Sequence, residues 1–465
     1  MTVDFHLGAA ALAERVRAGD ISAADLSEAY LARVAVLDPR LNAFTELTAE
    51  RARAEARLVD AQLQVGKDPG PLAGVPFAVK NLMDIQGFST LAGSKINRDH
   101  PPAAADATLI QRLRAAGAVL FGALNMGEYA YDFTGENIHY GPSRNPHDPE
   151  RMPGGSSGGS GTAVGAGMVP LALGSDTNGS IRVPASLCGI FGLKPTFGGL
   201  SRAGSFPFCA SLDHLGPFGR ATRDLALAFD AMQGPDPLDP VCSSAVPMPV
   251  GGELERGAEG LRIAVLGEYF EQGAMPEALA AVARVADTLA VTRRVTLSEP
   301  ARARAAAYVI TASEAANLHR ERLRSRPGDF DPAVRDRLLA AALMPGHWYL
   351  QAQRFRRWYH RAVLKVFEEV DVLIAPATPC TAPAIGQQTM LIGDTEVLVR
   401  PNLGLYTQPI SFAGLPVVVA PIRDVSQLPM GVQLIAAPGQ EAHALRVSTA
   451  LEAAGVAAAW PVPGV

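Results

Sequence analysis

Two serine-bearing glycine loops within residues 154–182 constrain this chain more than any other feature. The segment reads GGSSGGSGTAVGAGMVPLALGSDTNGSIR, with one loop around Ser156 and the other ending at Ser180. Glycine allows the backbone to adopt positive φ and to turn several N–H groups toward one point, which creates a cradle for negative charge. The segment therefore predicts a site in which a serine nucleophile acts beside backbone hydrogen-bond donors.

Short apolar segments alternate with helical patterns along most of the chain. Residues 74–80 form an apolar strand pattern that ends in Lys80, and a predicted helix at 108–116 precedes a second strand at 118–122. Four more segments have the length and apolar character of buried strands: 261–267, 370–375, 415–421 and 431–436. This alternation is typical of the α/β class with a partly parallel sheet.

Helix signals are clearest near the beginning of the chain and in its second half. Ser22 is a predicted N-cap, Pro39 is the predicted end of the same helix, and Thr48 is predicted to open the next one. Residues 275–364 have a polar, helical pattern. We interpret them as a helical insertion or cap within one domain that spans residues 1–465.

Composition excludes several classes of protein. A hydrophobic fraction of 48% with 19% charged residues indicates a globular core, and a net charge of −5 gives no general attraction to nucleic acid or to anionic membranes. The four cysteines are too scattered for a disulfide framework or a zinc site. The first residues lack a basic start and include Asp4 and Glu14, so we expect no signal peptide and a cytoplasmic location.

The base that would activate a serine is not evident from local patterns alone. None of the nine histidines has a sequence context that favours this role. Residues 154–158 also fit the G-x-S-x-G elbow of α/β-hydrolases, but an elbow follows an apolar strand and residues 147–153 are not apolar. A nucleotide-binding interpretation of residues 159–165 fails for the same reason.

Three blocks of the sequence together resemble the signature of the amidase signature family. They are Lys80 at the end of its strand, GGSSGGS at 154–160 and DTNGSIR at 176–182, and the resemblance extends over roughly the whole chain through GLKPT at 192–196 and SLDHLGP at 211–217. It implies a large mixed, twisted β-sheet covered by helices on both faces. It also implies a hydrolase of C–N bonds other than peptide bonds, which needs no metal and no organic cofactor.

The resemblance implies a catalytic triad of Ser180, Ser156 and Lys80. Ser180 would be the nucleophile, Ser156 would lie on a cis peptide bond and relay the proton, and Lys80 would be the base. A lysine acts as a base only when it is neutral, and burial favours the neutral form. The backbone N–H groups of residues 177–180, namely Thr177, Asn178, Gly179 and Ser180, would form the oxyanion hole. Asn178 stands where the family usually has glycine, and its side chain has no assigned role.

Within the family, the chain is most similar to the carboxybiuret hydrolases of s-triazine degradation. Residues 91–97, 175–180 and 310–314 carry this similarity. It implies that a small carboxylated urea or amide, similar to 1-carboxybiuret, releases ammonia through an acyl-enzyme. Two alternatives stay open: an amidohydrolase of oxalurate or another ureide, and the glutaminase subunit of a tRNA amidotransferase.

The same resemblance suggests three substrate-binding residues and a partner. Arg356 would bind the substrate carboxylate, and Tyr131 would line the pocket. Gln440 falls where the amidotransferase branch has an acid for the substrate's amino group, which disfavours glutamine. A small helical subunit, like that of the tRNA amidotransferases, would join the chain in a homo- or hetero-oligomer. The arginines between residues 319 and 336 alternate with acidic residues, so we expect no RNA surface there.

Overall fold

An eleven-stranded β-sheet is the centre of the fold. This computed structural model describes residues 3–392 and 394–464. Strands β10 and β11 form a separate two-stranded sheet. In chain order the strands are β1 Phe44–Leu47, β2 Pro76–Lys80, β3 Val119–Leu124, β4 Leu171–Asp176, β5 Phe191–Lys194, β6 His214–Gly219, β7 Ile263–Leu266, β8 Arg294–Val295, β9 Val372–Pro376, β10 Thr389–Ile392, β11 Thr395–Leu398, β12 Val417–Ile422 and β13 Met430–Ala436.

The large sheet is mixed, with parallel strands in two places. Its order is β1-β3-β2-β4-β6-β5-β12-β13-β9-β7-β8. Strand β2 pairs in parallel with both β3 and β4, and β7 pairs in parallel with β8 and β9. The remaining pairs are antiparallel. The predicted α/β class with a large mixed sheet is therefore confirmed.

Helices surround this sheet. In chain order they are α1 Ala9–Ala18, α2 Ala23–Leu41, α3 Ala49–Gln64, α4 Thr108–Ala115, α5 Gly158–Gly165, α6 Arg182–Cys188, α7 Thr222–Met232, α8 Pro276–Thr288, α9 Pro300–Leu318, α10 Arg320–Ser325, α11 Pro332–Ala342, α12 Gly346–Val366, α13 Val399–Asn402, α14 Gln408–Ala413 and α15 Glu441–Ala453. None of the helices in the described ranges is long and apolar enough to cross a bilayer.

Both faces of the sheet are buried beneath helices. Along β2, Phe77 and Val79 belong to one core cluster, whereas Ala78 between them belongs to another. This alternation is the expected consequence of side chains that point to opposite faces of a strand. The first cluster includes side chains of α7 and α15, and the second includes side chains of α2 and α5.

Two local predictions near the beginning of the chain have different outcomes. The Ser22 side chain accepts a hydrogen bond from the backbone N–H of Asp25 at 2.9 Å, so the predicted N-cap is confirmed. The prediction that Pro39 ends this helix is wrong, because α2 continues to Leu41 and ends at Asn42, where φ is 52°. Proline is tolerated there because only the last turn of the helix loses a hydrogen bond.

The segment predicted as a helical insertion contains more than helices. Helices α8 to α12 lie almost entirely within residues 275–364, but β8 lies there too and pairs with β7 at the edge of the large sheet. The segment is thus tied to the sheet by backbone hydrogen bonds. The single domain over 1–465 and the insertion at 275–364 stay predictions.

Candidate active site

Ser180 lies in the loop that joins the end of β4 to the start of α6. Its side chain lines a cavity of about 820 Å³. The preceding Gly179 has a φ of 143°, a conformation that residues with a side chain rarely adopt, and a Cβ at this position would overlap the side chain of Thr407. Glycine at this position therefore lets the loop pass close to α14 and hold Ser180 at the cavity wall.

Lys80, the last residue of β2, is fully buried close to this loop. Its Nζ lies 2.6 Å from Ser156 Oγ and 2.8 Å from Ser175 Oγ. Burial lowers the pKa of Lys80 to about 7, against the opposing charges of Asp176, Asp213 and Asp132. A substantial fraction of this amine is therefore neutral near pH 7, which is the form that accepts a proton.

Ser156 is fully buried in the first glycine loop, and the Gly155–Ser156 peptide bond is cis. The neighbouring Gly154 has a φ of 82°, and a Cβ there would lie 3.0 Å from backbone atoms of Pro184 in α6. The first glycine loop therefore packs directly against the helix that follows Ser180. This packing brings two distant parts of the signature segment to one place.

Ser175 is a site residue to which sequence analysis gives no role. Strands β2 and β4 are parallel neighbours, with Val79 opposite Leu173, so Lys80 and Ser175 both lie at the carboxyl ends of their strands. The only signal in the sequence is that Ser175 begins the second serine-bearing loop. Its contact with Lys80 follows from strand pairing, which the sequence pattern does not specify.

A buried ion pair holds the loop that carries Ser180. Asp176 and Arg182 are both fully buried, and two of the guanidinium nitrogens lie 3.0 Å from the two carboxylate oxygens. Arg182 also donates to Gln433 Oε1 at 2.7 Å and to the backbone oxygen of Thr407 at 3.0 Å. Burial alone would raise the pKa of Asp176, but the charge and hydrogen bonds of Arg182 hold it below its usual value.

The loop between Asp176 and Arg182 has backbone N–H groups that are free to bind a ligand. Among the described residues, the N–H groups of Thr177, Asn178, Gly179 and Ser180 have no hydrogen-bond acceptor. The loop is nevertheless fixed, because the Thr177 hydroxyl donates to Asp213 at 2.6 Å and Thr407 Oγ1 donates to the backbone oxygen of Asn178 at 2.7 Å. Fixed and unpaired N–H groups beside a serine are suited to bind an oxyanion.

Three arginines line the cavity that Ser180 reaches: Arg304, Arg337 and Arg400. Arg400 pairs with Asp132 at 2.7 Å. Arg304 donates instead to neutral groups, among them Gln408 Oε1 at 2.8 Å, and Arg337 lies 3.8 Å from the ring centroid of Tyr131. Neither of these two forms an ion pair with a carboxylate of the described residues, so the cavity carries uncompensated positive charge.

The substrate-binding residues predicted from the sequence are only partly brought together. Tyr131 lines the cavity of Ser180 beneath Arg337. Arg356 instead lines a separate cavity of about 410 Å³, where its Nε donates to the backbone oxygen of Phe412 at 3.1 Å. Gln440 lies at the N-terminal end of α15 and is not among the residues that line the cavity of Ser180. The resemblance assigns Arg356 and Gln440 by their positions along the chain. It does not specify which cavity their side chains line in the folded protein.

Comparison with known proteins relates this chain to one family over most of its length. The family model described as Amidase matches residues 25–445. AtzE, the 1-carboxybiuret hydrolase subunit of Pseudomonas sp. (strain ADP), is 56% identical over 446 residues, which cover 96% of this chain and 98% of that protein. A glutamyl-tRNA(Gln) amidotransferase subunit of Roseiflexus castenholzii is 39% identical over 479 residues, which cover 97% and 96% of the two chains.

A solved structure is similar over the same extent. It belongs to a vestigial protein complex described as revealing the evolutionary origins of an s-triazine catabolic enzyme. The two structures superpose with a TM-score of 0.97 at 55% identity, covering 98% of this chain and 100% of that chain. This chain therefore shares its fold with that protein over nearly its whole length.

Proposed function

This chain belongs to the amidase family, and we propose that it hydrolyses a small carboxylated urea or amide, similar to 1-carboxybiuret, with release of ammonia. The 2.6 Å contact between Lys80 Nζ and Ser156 Oγ, next to the loop of Ser180, gives the proposal its main support. A buried amine with a pKa of about 7 and a hydroxyl in contact with it can together relay a proton. The named relative supports the substrate class, since it is a 1-carboxybiuret hydrolase subunit.

In the proposed reaction, Ser180 Oγ attacks the carbonyl carbon and passes its proton to Ser156, which passes its own proton to the neutral amine of Lys80. The unpaired N–H groups of residues 177–180 stabilise the oxyanion of the tetrahedral intermediate. Ser156 then returns a proton to the leaving nitrogen, the C–N bond breaks and ammonia departs. An ester to Ser180 is left behind.

Water completes the reaction through the same groups. The relay through Ser156 and Lys80 takes a proton from water as its oxygen attacks the ester carbon of the acylated Ser180. Breakdown of the second tetrahedral intermediate returns the proton to Ser180 Oγ. For a urea the product is a carbamate, and for an amide it is a carboxylate. Each turnover therefore consumes one water and releases one ammonia.

The substrate carboxylate is proposed to bind Arg304 and Arg337. Both line the cavity of Ser180 and lack a carboxylate partner among the described residues. A guanidinium can bind a carboxylate through two parallel hydrogen bonds, which fixes orientation as well as charge. In this proposal they take the role that the sequence resemblance assigned to Arg356.

An association with a small helical subunit is also proposed. The Pseudomonas relative is a subunit by its name, and the superposed structure is described as a protein complex. Native mass measurement of the purified protein tests this, because a hetero-oligomer has a mass that is not a whole multiple of this chain. The cytoplasmic location stays a proposal that rests on the few, scattered cysteines.

An ammonia-release screen tests the proposed function. The panel consists of 1-carboxybiuret, oxalurate, biuret, allophanate, malonamate and glutamine, each with the unmodified protein and with Ser180→Ala. We expect the unmodified protein to release ammonia from a carboxylated ureide and the Ser180→Ala variant to release none. Ser160→Ala is the matched control, because Ser160 is also a buried serine of the signature segment, but it lies in α5 and its hydroxyl donates to the backbone oxygen of Leu173. Release from glutamine alone would favour the amidotransferase alternative instead.

A further inference from the structure

Asn178 has an unpaired side-chain oxygen close to the proposed nucleophile. It lies two residues before Ser180, is 8% exposed and lines the same cavity. Its Nδ2 donates to Thr311 Oγ1 on α9 at 3.0 Å. Its Oδ1 is buried and accepts no hydrogen bond from the described residues.

A buried carboxamide oxygen without a donor is unfavourable, and most such atoms in proteins are paired. The Asn178 carboxamide has limited freedom to find another partner, because Thr311 holds its nitrogen and Thr407 holds its backbone oxygen. A bound substrate is therefore the natural source of the missing donor. The site is therefore suited to a ligand with an N–H group near the carbonyl that Ser180 attacks.

We propose that Asn178 is the residue that selects ureides over simple amides. This inference rests on the proposed function and assigns the substrate class of the same site. In a carboxylated urea, the scissile carbonyl has nitrogen on both sides: one leaves as ammonia, and the other keeps an N–H group. Asn178 Oδ1 accepts a hydrogen bond from that second N–H, whereas the methylene of a simple amide has no proton to donate.

The placement of the loop supports this assignment. The oxyanion donors and Ser180 fix the carbonyl, and Asn178 belongs to the same four-residue loop, so its side chain is close to the substituents of the carbonyl carbon. Sites built to hydrogen-bond a substrate N–H or O–H reject analogues that lack it, because the site's own polar group is then left unpaired. Asn178 is thus a specificity residue and not a member of the proton relay.

Binding of two isosteric ligands tests the proposal without turnover. N-carbamoylglycine and succinamate both carry a terminal carboxamide and a carboxylate, and they differ only in an NH group against a CH2 group. Their dissociation constants are measured by calorimetry on Ser180→Ala. We expect the ureide to bind about tenfold more tightly, and this preference to disappear in the double variant Asn178→Ala, Ser180→Ala. The backbone N–H of residue 178 is unchanged in that variant.

Variants of Thr311 separate a specificity role from a structural one. Thr311→Ser keeps the hydroxyl that holds Asn178, so the preference should be retained, whereas Thr311→Val should reduce it. Equal binding of the two ligands to Ser180→Ala, binding of neither, or an unchanged preference after loss of the Asn178 side chain would each overturn the proposal. Failure of the proposed function is seen separately in the ammonia-release screen, either as no release from a carboxylated ureide by the unmodified protein or as full release by Ser180→Ala.

Discussion

The side-chain nitrogen of Lys80 lies 2.6 Å from the hydroxyl oxygen of Ser156, and both groups are excluded from solvent. The contact joins the end of β2 to the first glycine loop, and Ser175 at the end of β4 supports the amine from a second direction at 2.8 Å. Two hydroxyl groups hold the amine, and no carboxylate of the described residues contacts it, so burial favours loss of its proton.

The first prediction concerns the pH dependence of turnover. Because burial lowers the pKa of Lys80 to about 7, the amine is protonated and inactive as a base below that pH. We expect kcat/KM to rise with pH through about 7 and then to level off. A rate profile measured from mildly acidic to mildly alkaline pH checks this, and a rate independent of pH across that range would remove Lys80 from the role of base.

The same shift has a consequence for stability. The folded pKa of Lys80 is about 7 and the ordinary value is 10.5, so between these pH values the unfolded chain binds more protons than the folded one. The free energy of unfolding contributed by this group therefore increases as pH rises through that window. Lys80→Met lacks the group and should show a smaller increase in denaturation experiments.

The second prediction concerns the ion pair of Asp176 and Arg182. Asp176→Asn leaves Arg182 charged and fully buried, which should lower the free energy of unfolding by about 3–5 kcal/mol. Glu369→Gln is the control, since the Glu369 and Arg293 side chains are 74% and 44% exposed, and its loss should cost less than about 1 kcal/mol. Urea unfolding measures both values, and similar losses in the two variants would contradict the assignment.

The third prediction distinguishes two candidate carboxylate-binding sites. Arg337→Gln should raise KM for a carboxylated substrate about tenfold or more and change KM for a neutral amide much less, because a charge-assisted hydrogen bond is lost. Arg356→Gln is the matched control, since Arg356 lines a different cavity. The reverse pattern, with a large effect only at Arg356, would restore the assignment made from the sequence resemblance.

Sequence patterns predict the fold best where strands are continuously apolar. The strand that ends at Lys80 is found as β2, and the segments at 415–421 and 431–436 correspond to β12 and β13 within two residues. Apolar patterns do not predict strands β5 and β6, because Gly192, Gly216 and Pro217 interrupt them. Pairing with β12 and β4 makes these segments strands despite their local composition.

In the candidate site, too, some residues are predicted from the sequence and others are found only in the structure. Composition predicts Ser156 and Ser180, because both lie in glycine-rich loops, whereas Lys80 is predicted only through the resemblance to the family. Arg337 is one of many arginines in a polar helical region, and no periodicity indicates which of them faces the cavity. The role of Ser175 depends on the register of β2 against β4. Such relationships between distant segments arise only in the folded chain.

The fourth prediction addresses the central claim directly. The protein is mixed with a substrate found in the ammonia-release screen, quenched in acid and digested, and the peptide masses are recorded. We predict that the peptide containing Ser180 gains the mass of the substrate minus ammonia, and that the gain is absent in Ser180→Ala and Lys80→Met. An adduct on another residue, or full turnover by Ser180→Ala, would contradict the account.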